Sequence, residues 1–365
     1  MLPLVSLVIP CRNEAHAITE TIRSLLAQDY PPELMELIFV DGMSTDRTRE
    51  VIRQLTAGVL QPVVRLIDNP EQSTAAGLNR GIAVALGEVI FTVGAHTWYS
   101  RDYVSKAVTA LNEWDAMAVG GVAQTEPSEQ TPKGQAIALA LSSWFGVGNS
   151  LMRLGTDRMR TADTASCPAY RRIVFDRLGR FNPELVRNQD LEFNRRLVRA
   201  GMRLLLHPGM VSYYRCRSTL RSVVVNAFEN GYWVVRSIRY AGIGFCPRHL
   251  VPGVFVVVLV AAWLGEVVVG WGLVPFGVVA GTYLVAVFAA SLQRMSAQVR
   301  KGQDKVRISA LLVLPAVFPL LHLSYGLGSL WALLTLWRSS KRREQSNEDK
   351  IRTLAGRLTK FLRRG

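Results

Sequence analysis

The opening stretch, Val5 to Asp46, carries two short apolar runs separated by a helical period. Ser6–Pro10 is compact and rich in β-branched residues, which predicts a buried strand stopping at Pro10, where no N–H is left to join a ladder. Asn13 and Glu14 fall on the turn that follows. Ile18, Ile22, Leu25 and Leu26 recur at helical spacing and predict a helix to about Ala27. Pro31-Pro32 closes the connection, and Leu37–Val40 predicts a second strand ending in Asp41. This is a βαβ unit with a carboxylate beyond each strand. Open α/β sheets bind ligands beyond the carboxyl ends of their strands, so Glu14 and Asp41 are placed to accept hydrogen bonds from a base or ribose. The stretch has no GxGxxG and no Walker glycine run, which weakens the common dinucleotide and P-loop readings.

The same alternation continues. A helix is expected to about Leu55, a third strand over Pro62–Ile67 leading to Asp68-Asn69-Pro70, and a helix over Ala75–Leu86 that carries Asn79. A strand over Glu88–Val93 delivers Gly94-Ala95-His96 to the same edge, and a fifth strand fits Ala116–Gly121. Lys133–Asn149 reads as one apolar helix. Arg187–Leu197 opens another, with Asp190 and Glu192 in its first turn, where the helix dipole favours carboxylates. Residues two apart do not share a helix face. One of the two carboxylates can therefore face the cleft while the other makes a structural pair with an arginine.

The composition then changes. Arg217–Tyr240 is amphipathic, with Leu220, Val224 and Phe228 on one face, Arg221, Arg236 and Arg239 in its charge, and the interface aromatics Tyr232, Trp233 and Tyr240. It reads as a helix on a membrane surface or as a core helix. Residues 250–268 and 272–292 are apolar and long enough to span, with Trp263, Glu266 and Trp271 near their connection. Residues 308–336 are apolar but hold Pro315, Pro319 and His322, suggesting a kinked or re-entrant segment. The expected division is residues 1–215 for the α/β domain, 216–248 for interface helices, 249–338 for the membrane region and 339–365 for a basic tail, in which Ile351–Leu362 forms an amphipathic helix. Of 365 residues, 49% are hydrophobic and the net charge is +15, which points to anionic membrane lipids ahead of nucleic acid. Cys11, Cys167, Cys216 and Cys246 lack metal-ligand spacing and read as reduced thiols facing the cytosol.

Ile9-Pro10-Cys11-Arg12-Asn13-Glu14 and Val40-Asp41-Gly42-Met43-Ser44-Thr45-Asp46 resemble the opening of family 2 glycosyltransferases. The finer spelling around Asp68-Asn69-Pro70, Ala95-His96, Asn188-Gln189-Asp190 with Glu192, and Tyr213-Tyr214-x-x-Arg217 resembles the succinoglycan-biosynthesis type within that family. The resemblance implies a GT-A fold, a Rossmann-like and mostly parallel sheet with flanking helices. It implies an inverting transfer of a hexose from a nucleotide-sugar, UDP-linked, to a lipid-linked saccharide at the cytoplasmic membrane face. Pro10, Asn13, Glu14, Asp41, Asp68, Asn79 and Ala95 would bind the donor. Asp190 would be the general base, with Gln189 where Glu is common. Gln189, Glu192, Arg196, Arg217 and Trp233 would support it or the acceptor. The family usually carries Asp-x-Asp after the fourth strand, whereas here Gly94 and His96 stand there. His96 is then the expected metal ligand, for Mn²⁺ over Mg²⁺ because imidazole suits the softer ion. Two alternatives stay open: transfer to a polyprenyl phosphate, and a non-catalytic membrane-bound binding protein on the same fold.

Overall fold

The computed structural model describes residues 1–241, 247–270, 272–300 and 308–336. Trp271, the basic positions 301–307 and the tail with its expected helix over Ile351–Leu362 lie outside the described residues. The elements in chain order are β1 (Val5–Cys11), α1 (Ile18–Leu26), β2 (Met35–Asp41), α2 (Thr48–Thr56), β3 (Val63–Asp68), α3 (Thr74–Val84), β4 (Val89–Thr92), β5 (Thr97–Tyr99), α4 (Tyr103–Glu113) and β6 (Ala118–Pro127). Then follow α5 (Pro132–Leu141), α6 (Trp144–Val147), α7 (Leu151–Leu154), β7 (Arg160–Thr161), β8 (Ser166–Arg171), α8 (Arg172–Leu178), α9 (Gln189–Arg199) and β9 (Leu204–Cys216). Four long helices follow among the described residues: α10 (Leu220–Ala241), α11 (Pro247–Val269), α12 (Val274–Arg300) and α13 (Ile308–Thr335).

The chain forms two compact units, one of Met1–Glu126 with Ser150–Arg215 and one of Pro127–Asn149 with the chain from Cys216 onward. The first unit is built on a mixed sheet with strand order β3-β2-β1-β4-β8-β6-β9-β5, and β7 pairs with β9. β3, β2, β1 and β4 run parallel, while β8 joins β4 antiparallel. Strand alternation sorts the core into two layers. Leu7, Ile9, Leu37 and Phe39 pack with α1 and α4 on one face, while Val8, Ile38 and Val40 pack with α3, α8 and α9 on the other. Both faces are buried, so these strands read as continuous apolar runs.

Several expectations change here. β1 runs through Pro10 to Cys11, because its ladder with β4 ends at Val8↔Thr92 and leaves Pro10 needing a partner only on the β2 side. Lys133–Asn149 is two helices, since Ser143 caps α6 by accepting from Gly146 N at 3.1 Å and Gly148 takes φ 60° at its end. β5, β8 and β9 are additions. β9 contains His207-Pro208-Gly209, and β8 contains Pro168 with Cys167 at φ 42°, so neither carries the strand pattern.

In the second unit, α13 is the helix against which α10, α11, α12 and α5 pack. It is one helix running across Pro315 and Pro319. Glycines permit the close approach: a methyl group at Gly231 would collide with Tyr325 O, at Gly328 with Phe228 O, and at Gly326 with Pro252 O. Phe228, Tyr232 and Val235 of α10 pack on Ala332, so α10 lies in the core of its unit rather than on an open surface. Among the described residues, three helices are long and apolar enough to cross a membrane: Arg248–Val269, Val274–Ala297 and Ile308–Thr335.

Gly81 sets the depth of α3 on the sheet, because a methyl group there would collide with Val8 Cγ1. Gly81→Ala gains about 1 kcal/mol of helix propensity against roughly 1–3 kcal/mol of overpacking. The expected outcome is a lower melting temperature of the purified chain by circular dichroism. An unchanged or higher value would show that α3 does not need the close approach.

Candidate active site

The carboxyl edge of β1, β2 and β3 gathers the first set of polar residues. The loops after β1 and β2 are fastened together by side chain–backbone hydrogen bonds. Asn13 N donates to Ser44 Oγ at 3.0 Å, Thr45 N donates to Asn13 Oδ1 at 2.8 Å, Glu14 N donates to Thr48 Oγ1 at 2.8 Å and Ala15 N donates to Asp46 Oδ2 at 3.1 Å. Asn13 and Met43 hold left-handed backbone (φ 54° and 56°), a cost that persists where surrounding bonds over-determine it.

Parallel register sets Asp41 opposite Asp68. Two adjacent carboxylates call for a cation, and Arg49 supplies it, with Nη1 at 2.8 Å from Asp41 Oδ2 and 2.6 Å from Asp68 Oδ1. Ser44 donates its N–H and its hydroxyl to Asp41. Asp41 is therefore fully buried with both oxygens engaged. The expectation of a carboxylate beyond the strand is corrected, since Asp41 is the last residue of β2 and is buried. Removing it would disturb the loop as well as any ligand, and the carboxylate exposed on this rim is that of Asp68. Arg49 escaped the sequence reading; its signal was the pair of carboxylates at the ends of neighbouring parallel strands.

Asn79 also works within the fold. Its Nδ2 donates to Phe181 O at 2.8 Å and its Oδ1 accepts from Phe181 N at 2.9 Å, which clamps the turn leading to α9. Pro10 lines the approach of α3, where a methyl group at Gly77 would touch its Cβ at 3.0 Å.

Beyond β4, Val93 N donates to Val8 O, and the chain leaves the ladder at Gly94. Gly94 N donates to Tyr99 Oη at 2.9 Å, which lies 3.1 Å from Cys167 Sγ. Ala95 is buried, and its carbonyl accepts from Thr21 Oγ1 at 2.9 Å. His96 is half-exposed. Its Nδ1 sits 3.1 Å from Glu14 Oε1, and its ring meets Tyr214 edge-on at 5.8 Å. Glu14 thus joins the β4 edge to the β1 edge.

α9 begins after Asn188, which takes φ 60°. Glu192, 3% exposed, is held by Arg196 at 2.7 Å, and Arg196 also donates to the carbonyls of Leu178 and Arg180. Asp190 reaches solvent but is surrounded by protein mass, and desolvation raises its carboxyl above the ordinary carboxylate value, opposed by hydrogen bonds from Leu191 N and Asp190 N. Burial pushes the Cys167 thiol and the Tyr170 hydroxyl up, and the charge of Asp190 adds to both. Cys167, Tyr99 and Gly94 are successive neighbours on the β4 edge, and the charge of Asp190 is felt at Cys167. Gln189 is the half-buried first residue of α9. Arg217 and Trp233 belong to the second unit, where Trp233 flanks the α10–α13 contact and lies 5.8 Å from the Arg236 guanidinium.

A carboxylate-held metal does not fit these residues. A side chain at position 94 would press on Thr97 Oγ1 at 2.9 Å. Among the described residues no three His, Cys, Asp or Glu side chains cluster to hold an ion. At this edge the His96 imidazole stands beside Glu14 instead.

Residues 6–179 match the model of "Glycosyl transferase family 2". A dolichyl N-acetyl-alpha-D-glucosaminyl phosphate 3-beta-D-2,3-diacetamido-2,3-dideoxy-beta-D-glucuronosyltransferase of Methanococcus voltae is 25% identical over 62% of this chain and 71% of its own length. Succinoglycan biosynthesis protein ExoA of Rhizobium meliloti is 32% identical over 58% of this chain and 63% of its own length. Among solved structures, the mannosyltransferase PcManGT from Pyrobaculum calidifontis, in complex with GDP-Man and Mn²⁺, superposes with a TM-score of 0.56 at 20% identity, covering 91% of this chain and 88% of that one. The fold is that of GT-A glycosyltransferases, and residues 6–179 carry a family 2 glycosyltransferase domain.

Proposed function

We propose that the protein is an inverting hexosyltransferase that uses a nucleotide-sugar, UDP-linked, and a lipid-linked saccharide acceptor at the cytoplasmic face of a membrane. The observation that carries this reading is the split between the two α9 carboxylates. Glu192 is buried and neutralised by Arg196, while Asp190 stands at solvent with no ion pair among the described residues and a raised carboxyl. A base of that kind suits proton abstraction from a hydroxyl near neutral pH. In a single displacement, the acceptor oxygen bonds to the anomeric carbon and its proton passes to Asp190. The bond from that carbon to the β-phosphate oxygen breaks, and its electron pair leaves with the nucleoside diphosphate. Asn13, Glu14 and Asp68 form the donor rim, Asp41 and Arg49 hold its shape, and Pro10, Asn79 and Ala95 support it. Gln189 flanks the base.

Membrane attachment rests on α11, α12 and α13, whose apolar windows are largely unburied within the protein. Arg294, Arg300, Lys301, Lys305 and Arg307 lie at or beyond the end of α12 and favour the cytosolic side. The acceptor's lipid portion, in the form seen in the name of the Methanococcus voltae relative, would be met there, and Arg217 and Trp233 of α10's unit are the proposed support for it.

Asp190→Asn should lower transfer on the order of 10²–10⁴-fold while UDP affinity by calorimetry stays unchanged; near-wild-type turnover would point to an acceptor already ionised, such as a polyprenyl phosphate. The base must be deprotonated and its folded pKa is raised. Activity should therefore fall with decreasing pH at values above the ordinary carboxylate range. An ionised carboxyl with a raised folded pKa loses stability as pH climbs past its unfolded value, so Asp190→Asn should melt no lower than wild type at neutral pH.

The imidazole of His96 makes Mn²⁺ the preferred ion when a divalent cation arrives with the nucleotide, and His96→Ala should lose that preference; equal wild-type turnover in Mn²⁺ and Mg²⁺ would remove the role. Membranes bearing the full chain should retain it through a high-salt wash, which screens surface charge but not spans, and release it to detergent. Release by salt alone would overturn the spanning assignment.

A further inference from the structure

The β4 edge lacks one thing that the transfer needs. A departing diphosphate gains negative charge, and fixed positive charge must offset it. Gly94 and His96 supply no carboxylate-held cation there, so another positive group is needed within reach.

Arg153 on α7 lies beside this edge. Its guanidinium carbon stands 5.7 Å from the centre of the Tyr214 ring, the same ring that His96 meets edge-on at 5.8 Å. Its Nη1 is buried and makes no hydrogen bond, and no ion pair engages the side chain among the described residues. Three other arginines of this unit are engaged by carboxylates: Arg49 by Asp41 and Asp68, Arg196 by Glu192, and Arg215 by Glu20. An arginine that stacks on an aromatic ring keeps its planar fork of donors presented in one orientation. With its charge uncancelled and a donor unfilled, such a fork matches phosphate oxygens.

We propose that Arg153, steadied by Tyr214, binds the diphosphate of the nucleotide-sugar and supplies the fixed positive charge for its departure. The proposal rests on the transferase reading above. When the bond between the anomeric carbon and the β-phosphate oxygen breaks, the electron pair and charge that move onto that oxygen meet the guanidinium, while the acceptor proton goes to Asp190. Tyr214 is a positioning residue that acts through Arg153.

The test is calorimetry on the full chain in detergent, with chelator present, using UDP, GDP and uridine as probes. Arg153→Ala should weaken diphosphate binding about tenfold or more, the scale of a charge-assisted hydrogen bond, and leave uridine affinity unchanged. Arg153→Lys should recover part of the loss. Because the buried donor has no partner to lose, Arg153→Ala should melt no lower than wild type. Diphosphate affinity within twofold of wild type in Arg153→Ala would overturn the assignment, as would equal losses for UDP and uridine. Unchanged diphosphate binding with weakened binding of a short-chain polyprenyl diphosphate would move the phosphate contact to the acceptor lipid and also overturn it. A wild-type chain that binds none of the three probes would bring down the nucleotide-sugar reading itself, whereas normal wild-type binding with an indifferent variant brings down Arg153 alone.

Discussion

Parallel strand pairing is the constraint from which the site follows. The register that sets Cys11 opposite Asp41 also sets Asp41 opposite Asp68, so three strands end together and two carboxylates arrive side by side. Like charges at that spacing are unfavourable unless a cation joins them, and Arg49 reaches from the first turn of α2 to do so. Once Asp41 is neutralised it can be buried, and burial lets it hold Ser44. Ser44 and Thr45 then fasten the loop that carries Asn13 and Glu14. The exposed rim is thus a product of a buried charge network, and the strained backbone at Asn13 and Met43 is held by it.

The same economy separates the two carboxylates of α9. Glu192 and Asp190 are two residues apart and face different surroundings. Glu192 turns inward and meets Arg196, which also satisfies two backbone carbonyls. Asp190 turns outward with protein around it and with Cys167 and Tyr170 nearby, both driven up by burial and by its charge. Environment, not residue type, makes one carboxylate a structural anchor and the other a candidate base.

Much of this was legible from residue order. β1, α1, β2 and β3 follow from apolar runs and period, and β1 and β2, buried on both faces, have few ways to disguise themselves. The α9 carboxylates were legible from first-turn position. The antiparallel half was not. β9 runs straight through His207-Pro208-Gly209, which has turn chemistry, and Cys167 in β8 sits at a φ that strands avoid. Contact roles were harder still. Glu14 reads as a donor ligand but meets His96, and Asn79 reads as a binding amide but spends both its polar ends on Phe181. Arg49 and Arg153 carry no local pattern, since what distinguishes them is a neighbour far away in sequence: Asp68 for one and Tyr214 for the other.

The helical unit obeys a different rule. Three of its helices are long and apolar enough to cross a membrane, and between such helices association depends on close packing and polar contacts. α13 shows both. Its glycines admit the backbones of α10 and α11, and Ser329 Oγ donates to Gly231 O at 3.3 Å. His322 donates from Nε2 to Phe145 O at 2.9 Å, and its Nδ1 lies 2.9 Å from Tyr283 Oη. One imidazole therefore ties α6, α12 and α13, with a partner at each ring nitrogen. That arrangement explains why Pro127–Asn149, far from α13 in sequence and placed within the α/β region by its position in the chain, folds with the long helices. It also explains how a helix with two internal prolines stays whole, because the contacts that hold it are side to side and do not depend on every backbone bond along its length.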